Sequence, residues 1–123
     1  MDDDSPFETL LGEELDTVSF VRDYVELRIG GAVIRSLTDP TGSVDGVSWT
    51  FPRPGAADRL RAYIGRTLEE ADLRPDEHLL LTFDGGATIE ISLRPDDRPG
   101  PEAAHLVPAD EAGALDPAGM WVW

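Results

Sequence analysis

Apolar and polar residues alternate along two stretches of this chain. Val25, Leu27 and Ile29 share one parity, with Tyr24, Glu26 and Arg28 interleaved. Leu79, Leu81 and Phe83 repeat the pattern, and Ala87, Ile89, Ile91 and Leu93 continue it against Thr88, Glu90 and Ser92. Period two sends one set of side chains into a core and the other into water, so these are half-buried strands. Gly30-Gly31 and Asp84-Gly85-Gly86 stand between the paired runs, where tight hairpin turns need positive φ. A shorter strand precedes each hairpin, near residues 15–20 and 68–73.

The two stretches are copies. Gly12 aligns with Gly65, Leu15 with Leu68, Phe20 with Leu73, Leu27 with Leu81 and Ile34 with Ile89, an offset of 53 residues that grows to 55. A single pair at that spacing is a duplicated supersecondary unit, not a solenoid. Each copy predicts a three-stranded meander, residues 11–37 and 64–94. Residues 47–64 link them through a strand, "VSWTF", and a short helix in "RPGAADRLRAYIG". Leu60, Tyr63 and Ile64 stand there at i, i+3 and i+4, one apolar stripe, and Gly65 stops it. "TDPTGSVDG", just upstream, reads as a loop. Residues 1–9 read as an acidic, flexible segment. Residues 98–123 begin with about one helical turn near Pro101 and end in "WVW". The expectation is one mainly-β domain. Two antiparallel meanders pack their apolar faces together as a small sandwich or partly open barrel, with one connecting helix and a short C-terminal helical turn.

Composition changes this picture in one respect. The 123 residues carry 25 acids against 10 bases, a net charge of −15, and every base is Arg. A surface of that sign repels nucleic acid and anionic membranes, whose phosphates need clustered cations. It attracts a basic protein, raising association rate and setting specificity. Genome composition or salt adaptation also produces acidic, Lys-free chains. The charge is uneven: residues 1–16 hold seven acids and no base, whereas residues 53–66 hold four Arg against Asp58 alone. The Arg-rich segment, with Arg59 and Arg61 on the helix, reads as solvated charge, an anion-docking patch or a dimer contact.

The catalytic inventory is thin. Without cysteine there is no disulfide, thiolate nucleophile or thiolate metal site. The acidic start lacks the basic region of a secretory signal, and no apolar run approaches the ~18 residues of a membrane span. A soluble cytoplasmic protein is expected. Glu102 and His105 are spaced to share a helix face, but further ligands are missing, so no metal and no cofactor is expected. Asp39, Thr41, Ser43 and Asp45 put oxygens at alternate positions, yet Val44 and Thr50 stand where a calcium loop needs Gly and Glu. "IGGAVIRS" and "DGGATIEI" continue as strands, the wrong setting for a phosphate loop.

The succession of "GEELDTVSFVRDYVELRI", "YIGRTL", "DGGATIEISLRPDD", "GPEAAH" and a Trp-containing end resembles a family of small uncharacterised proteins from GC-rich bacteria, over roughly residues 10–123. The resemblance implies a freestanding domain and supplies no catalytic residues. Together these readings predict a non-catalytic, immunity- or inhibitor-like domain that binds a basic partner. Alternatives are a self-assembling domain, such as a homodimer, or a small-molecule binder or enzyme with a pocket between the copies. Candidate partner-binding residues are Trp121 and Trp123, one face of a last strand, with Glu26, Arg59 and Arg61. Glu90 stands where the first copy has Arg35, so a binding surface is expected where the copies differ.

Overall fold

A computed structural model describes residues 6–22, 24–110 and 112–123. Two five-stranded antiparallel sheets face each other across one hydrophobic core and do not close into a barrel. The first half of the chain supplies β1 (Leu15–Val21), β2 (Tyr24–Ile29), β3 (Ala32–Ser36), β4 (Thr41–Val44) and β5 (Val47–Thr50). A short helix, α1 (Ala56–Arg61), leads to β6 (Leu68–Arg74), β7 (His78–Phe83), β8 (Thr88–Ser92), β9 (Ala104–Val107) and β10 (Trp121–Val122). The alternation in the sequence is the alternation of burial. Val25, Leu27, Ile29 and Ile34 from one sheet meet Leu79, Leu81, Phe83, Ile89 and Ile91 from the other, all essentially inaccessible to water.

The duplication extends further than the meanders. Strand order is β1-β2-β3-β9-β10 in one sheet and β5-β4-β8-β7-β6 in the other. Each sheet is therefore one copy's meander plus a hairpin-like pair from the other copy. β1 and β6 carry a bulge at the same place, between Leu15 and Thr17 and between Leu68 and Glu70. The halves meet about a pseudo-twofold axis. Gly12 N–H donates to the Leu68 carbonyl (2.8 Å), and its counterpart Gly65 N–H donates to the Leu15 carbonyl (2.7 Å). The bridge between Glu14 and Thr67, equivalent residues, lies on the axis. These bonds join the β1 and β6 edges, leaving β10 and β5 as the outer edges of the two sheets.

Three local expectations change. "TDPTGSVDG" is not a loop throughout: Thr41–Val44 is strand, and only Asp45-Gly46, with φ of 52° and 79°, makes the turn to β5. Both central residues at positive φ is the hairpin geometry whose twist matches the strands. The alternate oxygens of Thr41 and Ser43 are the outward positions of this strand. On the linker, Leu60 and Tyr63 are buried but Ile64 is exposed, because α1 ends at Arg61 and breaks the i, i+4 stripe. The turn expected at Pro101 forms at Pro95–Asp97 instead, and the chain is extended through β9. Of the acidic segment 1–9, residues 1–5 lie outside the described residues; Phe7 is buried in the core.

Candidate protein-binding surface

The pseudo-twofold makes two tryptophans equivalent. Trp49 on β5 pairs with Gly42 on β4, which pairs with Ile89. Trp121 on β10 pairs with Leu106 on β9, which pairs with Ile34, the counterpart of Ile89. Both indoles start from an inward-facing position on an edge strand, and they end in different environments.

Trp49 is 6% exposed. Its ring occupies the space a side chain at Gly42 would take: a Cβ there would lie 2.6 Å from the indole. Its Nε1–H donates to the Tyr63 hydroxyl (2.9 Å), and that hydroxyl donates to the Thr88 carbonyl (2.5 Å) beside the Ser43 carbonyl (3.1 Å). The residues after α1 thus cap the buried indole, and Tyr63 packs edge-on to both Trp49 and Phe83. Burial pushes the Tyr63 phenol above its ordinary pKa; the Trp49 hydrogen bond and the nearby Arg66 oppose the shift.

Trp121 is 49% exposed. Leu106 is buried and fills the space that Gly42 leaves free in the other half, so the indole cannot lie down on β9. It stacks on Trp123 (6.4 Å between centroids), which stacks on the buried Phe7 (5.5 Å). Trp123 is therefore the partly buried middle of an aromatic ladder, and Trp121 is its open end. Its chain neighbours Met120 and Val122 are also exposed. The sequence grouped Trp121 with Trp123 correctly as one face; the structure gives them different burial.

Acidic residues gather elsewhere on the surface. Trp123 accepts hydrogen bonds through its carbonyl from Ala103 and Ala104 N–H, and the preceding Glu102 is hydrogen-bonded to His105 (2.6 Å). Glu102 and Asp39 border one shallow depression, and Asp39 continues into a cleft of about 360 Å³ lined also by Glu77, Glu90 and Asp97. Arg94 is the one cation lining that cleft. These carboxylates do not converge: among the described residues no group of three His, Cys, Asp or Glu could hold a metal. The cleft is open and polar, suited to cationic side chains of a large partner more than to an enclosed small molecule.

The remaining candidates lie elsewhere. Glu26 is paired with Arg35 across β2 and β3 (2.8 Å) on the outer face of the first sheet, so its charge is already matched. Glu90, in the place of Arg35, makes no ion pair among the described residues and faces the cleft. Arg59 and Arg61 are exposed on α1, beside β5 at the opposite outer edge. The five residues therefore do not form one site. Glu90 was marked by its contrast with Arg35, and Asp39 and Glu102 entered only as rejected metal ligands; Glu77 and Asp97 were not singled out, because a crossover loop and two strands gather these acids from distant positions. No helix among the described residues is long and apolar enough to cross a membrane. Compared with family models, curated proteins and solved structures, the chain finds no match.

Proposed function

We propose that this is a non-catalytic binding domain that takes a basic, Arg-rich partner protein on the β10 edge, drawn there by the chain's acidic surface. The carrying observation is the half-exposed Trp121 on an outer edge strand of a strongly acidic molecule, while its counterpart Trp49 is buried. Trp at the centre of a protein interface is a frequent hot spot. An arginine stacked on an indole gains cation–π attraction, and its neighbours gain from the carboxylates. The reading is that of an immunity or inhibitor protein neutralising a basic toxin or nuclease. A cysteine-free chain suits a reducing compartment, and we place the domain in the cytoplasm.

Immobilised protein should retain basic proteins at low salt and release them as salt rises, with retention lost in Trp121→Ala. Retained partners that are not basic, or that ignore both salt and the substitution, defeat the reading. A toxin-like gene beside the encoding gene would support it.

A further inference from the structure

The second outer edge has the opposite chemistry. Among the described residues β5 pairs only with β4. In an antiparallel ladder the backbone groups of successive residues point alternately toward and away from the partner strand. The two-residue turn makes Val44 and Val47 the first bonded pair, so Trp49 is bonded to Gly42, and Ser48 and Thr50 point away. The Thr50 carbonyl is taken by Arg53 N–H (2.9 Å); the Ser48 N–H and carbonyl and the Thr50 N–H face the open side.

A groove of about 440 Å³ runs along that side, lined by Val47 to Thr50, Arg53, Pro54, Gly55 and Arg59. Ser48, Thr50, Arg53 and Arg59 are exposed. Arg35, Arg66, Arg74 and Arg98 each hold a carboxylate in this structure; among the described residues Arg53, Arg59 and Arg61 hold none, as is also true of Arg28 and Arg94, and only these three lie together on the segment beside β5. In a chain with 25 acids to 10 Arg, the two Arg that line this groove are served by no carboxylate among the described residues. Charges on an edge strand commonly guard it against pairing. Here the guard has the wrong sign for that purpose: against copies of net charge −15 a cationic edge attracts.

We propose that the β5 edge docks an extended acidic segment of a partner protein. The segment adds a strand through the Ser48 and Thr50 backbone groups and places carboxylates at alternate positions against Arg53 and Arg59. This surface is independent of the Trp121 edge.

The test uses the whole chain and two labelled extended peptides of alternating Val and Glu or Val and Lys, followed by fluorescence anisotropy at low salt. The Glu peptide should bind at least about tenfold tighter than the Lys peptide. It should slow hydrogen exchange at the Ser48 and Thr50 amides. Arg53→Glu with Arg59→Glu should remove the preference while leaving the unfolding midpoint unchanged. Ser48→Pro, which deletes an outward N–H and no charge, should weaken binding and keep the sign of the preference. Equal affinity for both peptides, or protection confined to other strands, overturns the proposal. So does sedimentation showing that the edge is occupied by a second copy without peptide.

Discussion

Trp49 and Trp121 hold the same station in the two halves of the molecule, on an outer strand and inward-facing by register. One difference at the paired position separates their fates. Gly42 leaves room for an indole to lie across the sheet, and Tyr63 closes over it. Leu106 fills the room, and Trp121 stays half in water. A duplicated scaffold thus turns one residue type into a core plug in one copy and into an exposed anchor in the other. The Trp49 edge also carries Arg53 and Arg59, which hold no carboxylate among the described residues, along its open side.

The largest effect should come from giving the first copy the second copy's residue. In Gly42→Leu a side chain would fall on the Thr88 carbonyl and on the Trp49 ring, both held by the core. Overpacking of that kind costs about 1–3 kcal/mol or more. Because backbone is struck as well as a side chain, the upper end or beyond is expected in urea unfolding. A stability near wild type would mean that Gly42 is not what admits Trp49. Tyr63→Phe should follow at about 1–3 kcal/mol, since it leaves the Trp49 Nε1–H buried without its acceptor. The same variant with an unchanged midpoint would remove the cap from the explanation.

Tyr63 also gives the Trp49 half a pH signature. Its folded pKa lies above the ordinary 10.0, so the neutral phenol is favoured in the folded state. Its contribution is complete below pH 10 and is lost as pH rises through the folded value. Thermal midpoints should hold to about pH 10 and then fall, and Tyr63→Phe should flatten part of that fall. The smallest effect belongs to Asp72 on the outer face of the second sheet. The His78 hydrogen bond, and then Arg74, hold its carboxyl below the usual range. The stability it lends is present above its unfolded pKa and is lost as pH falls through the lower folded value. Asp72→Asn should slightly reduce the slope of acid unfolding.

Much of the fold was legible because it rests on local pattern. Strict alternation at Leu27 and Leu81, and Gly-Gly turns after Ile29 and Asp84, report burial and turn geometry residue by residue. The second pair of strands in each half was harder. β4 has Gly42 where an alternating strand would show an apolar residue, so its period is broken by the feature that seats Trp49. Asp45-Gly46 was the available signal, a dipeptide typical of two-residue hairpins. β9 follows Pro101 and "EAA", whose local preference is helical, and pairing with β3 overrides it. Of the candidate site, the Trp pair was readable from the spacing in "WVW". Its unequal burial was not, because that depends on Phe7 and Leu106, more than a hundred and fifteen residues away from Trp123 in one direction and across a strand pair in the other. The acidic cleft needed the crossovers that bring Asp39 beside Glu90 and Glu102.

The central claim is that equivalent tryptophans do different work, and a paired alanine replacement tests it most directly. Trp49→Ala and Trp121→Ala would each be followed by urea unfolding and by retention of basic partners at low salt. The expected result is a loss of about 3–5 kcal/mol of stability for Trp49→Ala. For Trp121→Ala, a change within about 0.5 kcal/mol is expected, together with a loss of at least about 2 kcal/mol of binding. Equal destabilisation by the two replacements, or undiminished binding in Trp121→Ala, would contradict it.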